Sequence, residues 1–268
     1  MATYVAPNAE VSPEAQLDDE VYVGPFCVIG PDVTIGRGTR LENSVSIMGW
    51  ATIGADNRIF PGAVVGGDPQ DLSYRNTRTR VVIGHRNVIR ECVTINRGTE
   101  KEDGVTSIGN ECFIMGCCHI AHDCKLGDRV VMANASLLGG HVHVAHDVTL
   151  SGGVAVHHFA SIGCYSFVSG LSRVLHDVPP YMLVEGSPAR PRCVNTVALK
   201  RNAFPSDVVR ALIEAHRVLY RAKAGLEPAR ETLREKGMLV PAVNHLLGFV
   251  QNQHEGRHGR GRQRRRAA

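Results

Sequence analysis

The sequence predicts an all-β fold, a parallel β-helix of hexapeptide repeats about eight coils tall, followed by a small C-terminal α-helical domain. Three observations carry this. Aliphatic residues recur at every sixth position through most of residues 5–179. Two polar insertions interrupt the phase without ending it. After Pro179 and Pro180 the period becomes that of a helix.

The repeat begins at Val5 and continues through Val11, Leu17, Val23, Ile29, Ile35, Leu41, Ile47, Ile53, Ile59 and Val65. It resumes at Ile83, Ile89 and Ile95, and again from Ile108 through Ile114, Ile120, Leu126, Met132, Leu138, Val144, Leu150, Val156, Ile162, Val168 and Val174. All 26 sites are aliphatic, which chance does not produce. Period six suits a short strand and a corner with one side chain pointing inward. Three such rungs close a coil, and each coil rises by about 4.8 Å, the strand-to-strand spacing. Each buried aliphatic side chain contributes roughly 1.5–3 kcal/mol before chain entropy is subtracted. Because coils touch only their neighbours, that stability is shared along the stack.

The polar segments 66–82 and 96–107 are rich in turn formers and are expected to project from corners as loops. The hexapeptide-repeat β-helix, with these loops, therefore occupies 1–190. Ser206 with Asp207 reads as the N-terminal cap of a helix, and Pro228 and Pro241 open two shorter helices, so 191–253 form the helical domain. Residues 254–268 carry six arginines (Arg257, Arg260, Arg262, Arg264, Arg265, Arg266), and without them the 30 basic and 26 acidic residues are near balance. That tail lacks apolar periodicity and reads as solvated and disordered, with no nucleic acid required as partner.

Composition narrows the class. No apolar run is long enough to span a membrane, and the N-terminus lacks a secretory pattern. The eight cysteines contain no Cys-x-x-Cys. They suit reduced thiols in the cytoplasm better than a disulfide framework.

The phase also places chemistry. The hexads at Ile120, Leu138, Val156 and Val174 are one coil apart and carry His122, then Gly140 and His141, then His157 and His158, then His176; His119 ends the preceding hexad. An imidazole that titrates near neutrality suits a general base, and Asp123 is placed to hold His122 in its useful tautomer. Three readings fit. In the first, His122 deprotonates an acceptor while a backbone N–H near Gly140 stabilises an oxyanion. In the second, His141 and His146 with a third imidazole bind zinc, as in γ-class carbonic anhydrases. In the third, the histidines occupy a subunit seam of a non-catalytic scaffold.

Residues 119–144, HIAHDCKLGDRVVMANASLLGGHVHV, closely resemble the active region of UDP-N-acetylglucosamine acyltransferases, which begin lipid A synthesis. Further matches follow the family's order: PQDL at 69–72, INRGT at 95–99, AVHHF at 155–159, HDVPPYMLVEGSPAR at 176–190 and VNTVALKR at 194–201. The resemblance implies a homotrimer of left-handed β-helices. It implies transfer of an R-3-hydroxyacyl chain from acyl carrier protein to the 3-hydroxyl of the UDP-sugar, or in some relatives to a 3-amino sugar. No metal and no cofactor are implied beyond the phosphopantetheine on the donor. By the same resemblance His122 is the general base, Asp123 its orienting partner and Gly140 the oxyanion donor. Gln70, Asp71, His119, His141, His157, Asn195 and Arg201 match substrate contacts, and Gly170 matches a position where a small residue leaves a long acyl channel. The chain departs from the commonest family pattern at Ser73, where Lys is usual, and at His158, Pro188, Val197 and Asn202.

Overall fold

A computed structural model describes residues 2–256 and residue 259 of the chain. All six arginines of the tail lie outside the described residues. The repeat winds as a left-handed helix of short parallel strands on three faces. The first sheet has 11 strands and runs from Tyr4–Val5 to Met182–Gly186 and Ala189–Val194. The second has nine, from Glu10–Val11 to Arg173–Val174, and the third has eight, from Gln16–Leu17 to Ser161–Ile162.

Register explains why the hexads are aliphatic. Along the second sheet Val65 pairs with Ile95, Ile95 with Ile120, Ile120 with Leu138, Leu138 with Val156 and Val156 with Val174. All six of these side chains are buried, so one inward position per rung builds a continuous apolar column. The preceding residue of each rung points outward, and on this sheet those residues include His119, Leu137, Ala155 and Arg173.

Both phase breaks are loops extruded from corners, and each is shorter than the sequence suggests. Strands Val64–Gly67 and Arg80–Ile83 leave 68–79 as the first loop, and Thr94–Asn96 and Val105–Ile108 leave 97–104 as the second. The first loop needs glycine at its root. Gly66 has φ of +81°, and a Cβ there would stand 1.9 Å from the Met48 carbonyl oxygen. Buried Arg97 then clamps the loop, donating to the Gly66 carbonyl at 3.1 Å and pairing with Asp68.

A polar ladder runs inside one corner. Asn57 Nδ2 donates to the carbonyls of Gly54 and Gly84, and its Oδ1 accepts from Asn87 N at 2.9 Å. Asn87 repeats the pattern, with Nδ2 donating to Gly109 O and Oδ1 accepting from Cys112 N. Both asparagines are fully buried. Replacing Asn87 with alanine orphans a buried carbonyl and a buried amide, each costing about 1–3 kcal/mol. Urea denaturation should therefore show a loss of at least about 2 kcal/mol, and a variant as stable as the parent would contradict the ladder.

The segment 191–194, read above as the start of the helical domain, is instead strand. Met182–Gly186 continues the first sheet, and Ala189–Val194 pairs back on it antiparallel, so a hairpin caps the coil. Among the described residues four α-helices follow: α1 (Thr196–Arg201), α2 (Ser206–His216), α3 (Leu226–Glu235) and α4 (Pro241–His254), with a π-helical turn at Arg217–Arg221. Ser206 is the first residue of α2 rather than its cap, which is Pro205. Pro241 opens α4 at a position where its missing N–H costs nothing. Leu212, Leu233, Leu246 and Leu247 bury the contacts among the helices. Tyr181 on the coil shares a 2.8 Å hydrogen bond with His245 on α4, which ties the two parts together.

Candidate active site

The corner between the second and third sheets gathers most of the chemistry. His122 precedes the turn, and Asp123 sits in it with φ of +61°; one coil on, Gly140 and His141 (φ +63°) repeat the geometry. The same left-handed turn residue recurs at corners along the coil, as at Ser44, Asp56, Glu111, Arg129 and Asp147, so the conformation belongs to the corner itself and here sets the direction of the His122 and His141 side chains.

His122 Nδ1 lies 2.9 Å from Asp123 Oδ2. A carboxylate can only accept, so Nδ1 carries the proton and Nε2 presents its lone pair. Asp123 is itself fixed. Thr99 N donates to its Oδ1 at 2.8 Å, Thr99 Oγ1 to its Oδ2 at 2.6 Å, and both residues are wholly buried. The Asp123 amide in turn donates to Thr106 Oγ1 at 2.8 Å. The His122 ring lies directly against Gly140. A Cβ on Gly140 would stand 2.5 Å from Cε1 and 2.6 Å from Nε2, so only glycine leaves the imidazole its place.

His141 completes the corner. Its ring stacks on Phe159 at 4.3 Å and meets the His122 ring edge-on at 5.1 Å. Its Nδ1 is 3.3 Å from Glu102 and its Nε2 is 3.7 Å from Asp123. Asp71 arrives from the first loop, with Oδ2 4.0 Å from His122 Nε2. Burial opposes its ionisation, but Lys101 and the backbone and hydroxyl of Ser73 outweigh it, holding the carboxyl well below the usual carboxylate range. His119 lies one rung before, its Nδ1 2.7 Å from Thr94 Oγ1. Burial, and then the neighbouring His122, pull its pKa below the ordinary value, which keeps it neutral at pH 7.

The structure thus brings together His122, Asp123, Gly140, His141 and Asp71, with His119 adjacent. Gln70 is exposed beside Asp71. His157 stands one coil beyond Gly140 in the same column of corners, one residue out of register with His122 and Gly140, and lines a cavity of about 570 Å³ with Arg173, Leu175 and His176. Its ring lies against His158, whose ring meets Phe159 edge-on. Gly170 is at the corner leading into the second sheet, across that sheet from His122. Asn195 is engaged by the fold: its side chain caps α1 through Ala198 N and donates to Tyr165 O at 2.9 Å. Arg201 is exposed at the end of α1.

The zinc pairing of His141 with His146 does not form. His146 belongs to the next corner, where its Nδ1 lies 2.7 Å from Asp147. Among the described residues, the group whose ligand atoms cluster is His122, Asp123 and His141, within 4.8 Å of one another. Its shared Asp123 oxygen already accepts from Thr99 and His122.

Sequence reasoning missed four participants: Thr99, Lys101, Glu102 and Phe159. Thr99 stands in the quoted INRGT motif, and Phe159 occupies the turn position equivalent to His141 one coil later. No period marks Lys101 and Glu102, because they lie in an insertion.

Known proteins with this architecture are similar throughout. The family model described as UDP-N-acetylglucosamine O-acyltransferase, domain 2, matches residues 177–260, and the bacterial transferase hexapeptide model matches residues 106–140. An acyl-[acyl-carrier-protein]–UDP-N-acetylglucosamine O-acyltransferase of Syntrophobacter fumaroxidans is 45% identical over 253 residues, covering 94% of this chain and 98% of its own. The crystal structure of a UDP-N-acetylglucosamine acyltransferase from Bacteroides fragilis superposes with a TM-score of 0.91 at 30% identity, covering 96% of this chain and 99% of its own. That of the Francisella novicida enzyme gives 0.89 at 38% identity, covering 96% and 93% respectively.

Proposed function

Because this chain belongs to the acyl-[acyl-carrier-protein]–UDP-N-acetylglucosamine O-acyltransferases, we propose that His122 is the general base of its reaction. The chain is an O-acyltransferase that moves an acyl group from acyl carrier protein to UDP-N-acetylglucosamine, the first step of lipid A synthesis. The observation that carries the role of His122 is the fixed series Thr99–Asp123–His122, which turns a lone pair on Nε2 towards Asp71 and the opening.

In this reading the acceptor's 3-hydroxyl docks between His122 Nε2 and Asp71. His122 takes its proton as the oxygen attacks the thioester carbonyl of an R-3-hydroxyacyl donor. The imidazolium that forms is stabilised by Asp123, whose carboxylate is already oriented and reorganises little. The Gly140 amide, which makes no hydrogen bond among the described residues, donates to the developing oxyanion. Collapse of the tetrahedral intermediate expels the phosphopantetheine thiolate, which takes up the proton from His122. These steps draw on side chains and one backbone amide of the chain, so we read the reaction as needing neither metal nor further cofactor.

His119, His141 and Gln70 surround the acceptor, and the cavity at His157 receives the donor arm. The acyl chain follows the outer surface of the second sheet towards Gly170, where an added Cβ would meet the Gly152 carbonyl at 3.3 Å. Asn195 and Arg201 serve the nucleotide from the start of the helical domain. A homotrimer is supported by apolar side chains left outward on or beside that sheet: Val28, Leu137 and Leu171 are 44%, 46% and 84% exposed. Among the described residues the cysteines Cys27, Cys92, Cys112, Cys117, Cys118, Cys124, Cys164 and Cys193 form no disulfide with one another, which suits the cytoplasm. No described helix is long and apolar enough to cross a membrane.

Mass spectrometry and NMR of the product from UDP-N-acetylglucosamine and a panel of 3-hydroxyacyl donors test this. The expected product is an ester at the 3-oxygen, with the longer chains preferred. Transfer confined to a 3-amino sugar nucleotide would overturn the acceptor assignment.

A further inference from the structure

We propose that Lys101 is a specificity-determining cation of the acceptor site: paired with Asp71 beside His122, it allows a corner lined by carboxylates to admit an anionic sugar nucleotide. The proposal rests on the acceptor reading above and adds the residue that makes it electrostatically workable.

Any hydroxyl that reaches His122 Nε2 lies against Asp71, whose Oδ2 is 4.0 Å from that nitrogen. The Asp71 carboxylate is held in place by its own loop, with Oδ1 accepting from Ser73 N at 2.9 Å and Ser73 Oγ at 2.8 Å. Oδ2 is left to face His122 and the Lys101 ammonium, which pairs with it. The same corner holds Asp123 against His122 and Glu102 against His141. Two nearby cations are committed elsewhere, Arg97 to Asp68 and Lys125 to Asp103. Without Lys101, a diphosphate carried on the same sugar ring would approach an uncompensated Asp71.

Chain geometry delivers this cation reliably. The loop 97–104 returns to the coil with Thr99 on Asp123, Glu102 on His141 and Asp103 on Lys125, so residues on both sides of Lys101 are anchored independently. Removing its charge should therefore leave the loop in place. The lysine is 40% exposed, within reach of an incoming ligand and not buried as a structural ion pair.

The test uses the full chain with Lys101→Met and Lys101→Arg. Calorimetric titration with UDP-N-acetylglucosamine alone gives Kd, and steady-state kinetics give KM and kcat with acyl carrier protein thioester. Lys101→Met should raise Kd and KM for the sugar nucleotide at least about tenfold. It should change kcat at saturation by no more than a few-fold and leave the KM for the acyl donor unmoved. Lys101→Arg should recover most of the affinity. Added salt should shrink the deficit of Lys101→Met by screening the exposed carboxylate. Should methionine unfold the loop, Lys101→Gln keeps a hydrogen-bond donor and carries the same expectations. Wild-type affinity in Lys101→Met overturns the proposal. So does an equal loss of kcat in Met and Arg variants at unchanged Kd, which would make the lysine a brace. A parent chain that does not bind UDP-N-acetylglucosamine would remove the acceptor reading and the proposal together. His122→Ala separates the two, because it should bind the sugar nucleotide and fail to turn it over.

Discussion

His122→Ala should lower kcat by about 10²–10⁴-fold, the range a positioned general base contributes. The structure explains why the loss should fall on catalysis and not on folding. Asp123 keeps both of its hydrogen bonds from Thr99 when the imidazole is removed, so no buried carboxylate is left without a donor. The ring lies over a corner and outside the aliphatic column, and the stability change should stay near about 1 kcal/mol. Single-turnover transfer from acyl carrier protein thioester, with thermal denaturation of the same sample, measures both. Activity within a few-fold of the parent would remove His122 from its role, however intact the fold.

Gly140→Ala should be nearly as damaging, for a reason that is purely spatial. The added methyl would stand 2.6 Å from His122 Nε2, well inside contact distance, and the ring must move. A misplacement of about 1 Å at a reacting group costs about 10²-fold. Gly140 is not among the residues with positive φ, so alanine is compatible with its backbone and the damage stays at the base. Gly152 supplies an internal control, since it also lacks positive φ and the Cβ of an alanine there would meet only the Asn134 carbonyl at 3.6 Å. Gly152→Ala should preserve activity where Gly140→Ala loses it. Equal behaviour of the two would show that the glycine at 140 is not reserved for the imidazole.

The series that orients His122 was only half legible in the sequence. Adjacent His122 and Asp123 suggested a tautomer lock, and the coil spacing put Gly140 beside the histidine. Thr99, which fixes Asp123, was visible only as a letter in a motif. Its contact depends on how far the second loop doubles back, and loop conformation has no period to read. Coil spacing put His157 on the same face as His122 but one residue out of step with it, and there it lines a cavity with Arg173 and His176. Asn195 matched a nucleotide contact by resemblance, while its amide is engaged at both ends by Tyr165 and Ala198. The H-x4-H spacing of His141 and His146 failed because four intervening residues carry the chain across the third sheet to another corner.

By itself the sequence determined the coil, because one aliphatic side chain per six residues permits a dry interior only when the rungs stack in register. It also determined which histidines share a corner with a glycine, since residues one coil apart must lie above one another. Only the tertiary structure decided the electrostatics of that corner. Asp71, Thr99, Lys101 and Glu102 come from the two segments that break the repeat, and the places to which such loops return are set by three-dimensional packing and charge pairing, which leave no period in the chain.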